Sequence, residues 1–96
     1  MTAFNWWAVR LGMLPAETTA SPDDLRADVL HVLEQQVENG YVRLPAVRII
    51  DGGGALDVRC DVVATDGPSA IESVTRIVTR DVRGRAYAVQ ARRVLR

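Results

Sequence analysis

The 96-residue chain is predicted to form a single α+β domain, residues 1–96, with elements in the order β-α-β-β-α-β. Three observations predict this class. Residues 56–64 alternate apolar and polar side chains, the period of a half-buried strand. Residues 22–39 and a second stretch that opens at Pro68 repeat apolar side chains at helical spacing. The glycine-rich segment 51–54 joins two strand-like stretches, as a hairpin turn does.

The first predicted strand covers residues 4–11, which are rich in strand-forming side chains. Gly12 and Pro15 are expected to end it, and the small polar residues up to Ala20 are expected to form a loop. Adjacent residues of a strand point to opposite faces, so Trp6 and Trp7 cannot both be buried. The phase that buries Trp7 leaves Trp6 on the opposite face.

The first helix is predicted over residues 22–39. Ser21 can cap its first turn, Pro22 stands where a missing N–H costs nothing, and the acids that follow favour the positive helix end. Gly40 is expected to end it, because glycine adopts the left-handed conformation found after helices.

Residues 41–50 predict a second strand, which Pro45 confines to a sheet edge because proline donates no backbone hydrogen bond. The third strand, residues 56–64, places Cys60 on its buried face and Asp57 and Asp61 on its polar face.

The second helix is predicted to begin at Pro68 and to end at Gly84. Residues 86–95 predict the last strand, with Tyr87, Val89 and Ala91 on one face.

This order is the ferredoxin-like split β-α-β plan. It predicts a four-stranded antiparallel sheet of order 4-1-3-2 with two helices on one face. The second strand, which contains Pro45, then falls at an edge. The other face of the sheet is expected to be open.

Several short motifs are spread over most of the chain: Trp6-Trp7-Ala8-Val9-Arg10-Leu11 followed by Pro15, Asp23-Asp24-Leu25, Pro45-Ala46-Val47, the Gly-rich turn, Leu56-Asp57-Val58 and Ala64-Thr65-Asp66. In these motifs the chain resembles a group of small uncharacterised actinobacterial proteins with this plan. The resemblance implies the fold, but the shared motifs are structural and imply no activity.

Composition excludes several classes of function. One Cys excludes an internal disulfide and Cys-rich zinc sites, and no apolar run is long enough to span a membrane. No export signal is recognised at the N-terminus, so a cytoplasmic protein is expected. The net charge is zero, which argues against a general nucleic-acid binder. The acids nevertheless gather near the first helix, and the arginines gather from Arg76 onward.

No catalytic or metal-ligating constellation is predicted, and no cofactor is expected. His31 falls opposite the apolar stripe of the first helix, without a second ligand at metal-binding spacing. Cys60 is expected to be a core residue. Asp57 and Asp61 lie about 13 Å apart along their strand, too far for a glycosidase pair. With Arg59 between them, an ion-paired strand face is the better interpretation.

We therefore expect a non-enzymatic interaction or assembly module, which forms a homodimer through the open sheet face or an edge strand. Trp6 is the central feature, because Trp and Arg dominate interface hot spots. The residues predicted to form the interface are Phe4, Trp6, Arg10, Arg48, Arg59 and Asp61.

Three alternatives remain open at this point. An ACT-like sensor could close the loop Gly12–Ala20 over a small molecule. A cofactor-free dimeric α+β-barrel enzyme would need a polar cavity. RNA binding would use the arginines, although the third strand has no aromatic residue on which a base could stack.

Overall fold

The computed structural model describes residues 3–16, 20–80 and 82–95, and it confirms an α+β protein with two helices and a sheet of antiparallel strands. A short 3-10 turn, Asp51–Gly53, joins the second and third strands. The elements are β1 (Asn5–Pro15), α1 (Pro22–Glu38), β2 (Val42–Ile50), β3 (Ala55–Ala64), α2 (Gly67–Val78) and β4 (Gly84–Arg93).

The four described strands form one sheet in the order β2-β3-β1-β4, and every neighbouring pair is antiparallel. β2 therefore lies at an edge, as Pro45 predicted. β1 and β3 lie in the middle, so side chains at their centres have strands on both sides.

Both helices pack on one face of the sheet, called here the inner face. Its centre is apolar and closed to water, because Leu11 and Val58 from the strands and Val29, Leu33 and Val74 from the helices have no exposed surface. Trp7 packs against the margin of this core, where its indole Nε1 donates to the carbonyl oxygen of Ala64 at 3.1 Å. The predicted phase of β1 is confirmed by this arrangement.

Helix α1 begins as predicted. The backbone N–H of Asp24 donates to Ser21 Oγ at 3.1 Å, and Pro22 occupies the first turn. The helix ends at Glu38, and Gly40 follows with a φ of 82°, a conformation that only glycine adopts without strain. Asp66 caps α2 in the same way, by accepting from the backbone N–H of Ser69 at 2.8 Å.

The predicted end of β1 at Gly12 is wrong. β1 runs on to Pro15, because residues Gly12–Pro15 stay paired with β4. The ring of Tyr87 in β4 lies directly over Gly12, and a Cβ at that position would overlap the ring. Glycine here is therefore a strand residue that makes room for an aromatic ring. The predicted loop Gly12–Ala20 begins only after Pro15, and its residues 17–19 lie outside the described part of the chain.

The predicted end of α2 at Gly84 is also wrong. α2 stops at Val78, and the chain then turns so that Val82, which is 4% exposed, joins the core. Gly84 instead begins β4, where a Cβ would meet the backbone of Leu14 in β1. Arg76 is the basic residue of the last turn of α2.

β2 contains a bulge at Leu44. Arg43 pairs with Asp61 and Ala46 pairs with Arg59, so β2 has one residue more than β3 across this step. Leu44 takes up the extra length with a φ of 53°. Because of this extra residue, the alternation of inward and outward side chains after the bulge is offset by one position from the alternation before it.

β4 has a second register shift, opposite Arg10 and Leu11, which pair with Gln90 and Ala88. Tyr87 therefore lies over Gly12 on the outer face, whereas Ala91 packs against the core. The prediction that these two residues share a face is wrong, because simple alternation assumes an unbroken register. The side chains of Ala88 and Val89 lie outside the described part of the structure.

Candidate interaction surface on the open sheet face

The outer face of the sheet is defined by the residues of β1 and β3 that point away from the helices. Trp6, Ala8 and Arg10 of β1 stand opposite Val63, Asp61 and Arg59 of β3. Both helices contribute their buried side chains to the inner side. The outer face is therefore the place to look for a contact surface.

Asp57 lies at the centre of an arginine cluster on this face, and its residue is only 3% exposed. Arg10 Nε donates to Asp57 Oδ1 at 3.1 Å. Arg48 Nη2 and Arg59 Nε donate to Oδ2, both at 3.2 Å. The three guanidinium groups remain about half exposed, so their stems exclude water from the carboxylate while their donors reach the surface.

This arrangement keeps Asp57 ionised. Burial from water raises the pKa of Asp57, but hydrogen bonds from Arg10 and Arg48 and the charges of Arg10 and Arg59 lower it by more. The pKa of the carboxyl group therefore lies below its ordinary value. A carboxylate held in this way is a weak base, and it serves to anchor the arginines.

Trp6 belongs to a second cluster on the same face. The guanidinium carbon of Arg43 lies 4.1 Å from the centroid of the Trp6 ring, a cation–π contact. Arg43 Nε also donates to Asp61 Oδ2 at 3.0 Å. Trp6 is thus partly covered by Arg43, and the pair of Asp61 and Arg43 is more buried than a usual surface ion pair.

Large apolar side chains surround the two clusters. Phe4 is 67% exposed, Leu44 is 75% exposed and Tyr87 is 43% exposed. Leu44 lines one side of a shallow depression of about 250 Å³, which Ala8, Arg59 and other outer-face residues also line. A second open depression, of about 330 Å³, runs beside Phe4 and Trp6.

The residues predicted to form an interface fall into these two clusters and their margin. Arg10, Arg48 and Arg59 are together at Asp57, whereas Asp61 is with Trp6. Phe4 lies beside Trp6 in the second depression.

Asp57 and Arg43 were missed as members of this surface. Asp57 was predicted to lie on an ion-paired strand face with Arg59, and its contact with Arg59 confirms this, but the sequence does not show that Arg10 and Arg48 also converge on it. Arg43 lies five residues before Arg48, so simple alternation places the two on opposite faces. The bulge at Leu44 puts both on the outer face, and no pattern of side chains in β2 signals the bulge.

The two residues weighed as reactive groups lie in different settings. Cys60 is 4% exposed, and burial, together with the charge of Asp61, raises the pKa of its thiol to about 12. His31 is exposed and lies 3.3 Å from Gln35, one turn further along α1. Among the described residues, no group of three or more His, Cys, Asp or Glu side chains is placed to share a metal ion. No helix in the described ranges has the length and apolar character needed to cross a membrane.

Comparisons with known proteins leave the family open. No protein-family model matches the chain, and no curated protein matches it. A solved structure of an uncharacterized protein from Thermotoga maritima is similar to it over 92% of this chain and 100% of the other, with a TM-score of 0.46 and 11% identity. The similarity is distant, and it carries no functional argument.

Proposed function

We propose that the protein is a non-enzymatic interaction module of ferredoxin-like plan, whose outer sheet face binds a second copy of the chain. One observation carries this proposal. Exposed Phe4, Leu44 and Tyr87 surround ordered arginine clusters on a sheet face that none of the described elements covers. Exposed apolar patches with aromatic and arginine residues are typical of protein interfaces.

The element order β-α-β-β-α-β and the packing of both helices on one face support the ferredoxin-like plan. In that plan the helices form a layer on one side of the sheet, and the domain has no layer on the other side. A partner that covers this side would complete a three-layer arrangement, and it would bury the apolar margin of the clusters.

The two sheet edges are less suited to pairing with another strand. The edge formed by β2 contains Pro45 and the bulge at Leu44, both of which interrupt a regular row of donors and acceptors. The edge formed by β4 contains Arg85, Arg92 and Arg93. Two such edges would bring like charges together, which is unfavourable in paired strands. The face is therefore preferred over the edges.

The chemistry of the face supports binding rather than catalysis. Asp57 is a weak base because its pKa is lowered, and Cys60 is protonated because its pKa is raised to about 12. The arginines that reach the surface offer donors that recognise charge and shape. None of these settings poises a group for proton transfer near neutral pH.

Sedimentation velocity over about 1 to 100 µM tests the proposal. We expect the wild type to associate, and Trp6→Ala to weaken association at least tenfold, since it removes the support of Arg43. Trp6→Phe keeps an aromatic ring under Arg43 and should retain most of the affinity. Glu72→Gln, on the exposed side of α2, is the remote control and should behave as the wild type. A wild type that stays monomeric throughout this range overturns the proposal.

A further inference from the structure

The solvent side of α1 is acidic along its whole length. At 100° per residue, its five acids fall within a sector of about 140°, opposite the buried Leu25 and Val29. His31 is the one other ionisable residue in this sector of α1, which contains no arginine. All five acids are exposed, and they define the acidic helix face: Asp23, Asp24, Asp28, Glu34 and Glu38.

The outer face of the sheet has the opposite sign. Six arginines point outward by strand register or by their contacts, against the two carboxylates of Asp57 and Asp61. These six residues define the arginine face: Arg10, Arg43, Arg48, Arg59, Arg85 and Arg92. A net charge of zero for the chain therefore hides two oppositely charged layers.

Two copies can meet at the arginine face in two ways. In a symmetric contact, one arginine face covers another, and like charges are brought together at the centre, which costs free energy. In a contact between different surfaces, the acidic helix face of one copy covers the arginine face of the next, and the charges are complementary. The second arrangement places the acids of one copy near the arginine donors of the next copy. The first arrangement leaves the arginine donors of two copies facing one another.

Building on the proposed function, we infer that the arginine face binds the acidic helix face of the next copy, so that copies associate head to tail. The dimensions agree. Four strands of nine to eleven residues form a face roughly 14 Å by 33 Å, and the 17-residue helix α1 is about 25 Å long. Each contact leaves one free surface of each kind at the ends, so the series grows unless its rotation closes a ring.

Single-stranded RNA is the competing occupant of the arginine face, and two contacts disfavour it. Four of the six arginines already donate to Asp57 or Asp61. The Trp6 ring, which would have to stack on a base, is covered by the guanidinium of Arg43.

Complementary variants test the inference. The sheet variant, Arg85→Glu with Arg92→Glu, reverses two charges of the arginine face that lie outside the Asp57 and Asp61 clusters. The helix variant, Asp28→Arg with Glu34→Arg, reverses two exposed charges of the acidic helix face. Urea unfolding of each variant establishes that the fold is kept.

Each variant alone should associate at least tenfold more weakly than the wild type, since each has lost one of the two surfaces. An equimolar mixture should associate again, because the acidic helix face of the sheet variant and the arginine face of the helix variant are both intact. Wild-type association should also weaken as NaCl rises from about 50 to 500 mM, because attraction between opposite charges is screened.

Other outcomes separate the two proposals. If the helix variant associates as strongly as the wild type, the acidic helix face is not in the contact; the head-to-tail inference fails and the proposed function stands. A contact between two arginine faces would strengthen with salt. If the wild type is monomeric, both fail. Tight binding of oligouridylate by the wild type that is lost in the sheet variant would assign the arginine face to nucleic acid and overturn the inference.

Discussion

The inner and outer faces of the sheet come from the same four strands, but they exclude water in different ways. On the inner face, helices cover apolar side chains, and Val9 is 3% exposed. On the outer face, Asp57 is equally buried, although none of the described elements lies over it. Its cover consists of arginine stems that it holds in place by charge. Helix packing closes one face, while electrostatic contacts order the other and leave its donors at the surface.

The largest difference between the faces is expected at Cys60. Because burial raises the pKa of its thiol to about 12, the native chain should contain roughly a thousandfold less thiolate than the unfolded chain at about pH 8. Alkylation by iodoacetamide should be slowed to the same extent. Cys60→Ala with Ala46→Cys places the only thiol on the exposed part of β2 and should react as fast as a free thiol. Rapid reaction of native Cys60 would contradict a sealed inner face.

The same substitution on the two faces should have very different costs. Leu11→Ala removes a side chain with no exposed surface from the core and should lower the free energy of unfolding by about 2–5 kcal/mol. Leu44→Ala removes one that is 75% exposed and should cost less than about 0.5 kcal/mol. Urea unfolding at low protein concentration measures both. Equal costs would show that the outer face is as closely packed as the core.

Removing the charge of Asp57 tests how the outer face excludes water. Asp57→Asn should cost about 1–3 kcal/mol at neutral pH, because three arginines lose their shared partner. The pKa of Asp57 is lower in the folded chain, so its stabilisation is complete above the ordinary value near 3.9 and disappears as the pH falls through the lowered value.

The stability difference between the wild type and Asp57→Asn should therefore be constant from neutral pH to about pH 5 and should shrink in stronger acid. Asp61→Asn is the matched control. It removes only the ion pair with Arg43, so it should lower the free energy of unfolding by less than Asp57→Asn does. A difference that grows in acid would rule out an ionised Asp57.

The smallest expected effect is at Gly12. Gly12→Ala should cost about 1 kcal/mol, because the new Cβ overlaps the Tyr87 ring, which is partly exposed and can move away. In a Tyr87→Ala background the same change should be neutral or stabilising, since alanine suits a strand better than glycine does. A double-mutant cycle from urea curves measures this coupling. Additive costs would mean that the ring does not lie over Gly12.

Local signals predicted most of the fold and little of the surface. Ser21, Pro22 and Gly40 determine the bounds of α1 by contacts within a few residues, and alternation in β3 is visible without any partner. The continuation of β1 past Gly12 depends on pairing with β4, whose Tyr87 is 75 positions after Gly12 in the chain. The convergence of arginines on Asp57 likewise involves β1 and β2 as well as β3. Contacts of this kind leave no short-range pattern, so Asp57 and Arg43 were not predicted as members of the surface.

The extra residue at Leu44 also sets where the length of β2 can change during evolution. Val42 and Val47 both face the core although they are five positions apart, because the bulge restores the inward direction after an odd step. Loss of Leu44 would leave both valines inward, with regular pairing to β3. Loss of a residue from the regular part of the strand, Val47–Ile50, would instead move every later residue to the opposite face. Leu44 is thus a position at which a one-residue deletion preserves the core.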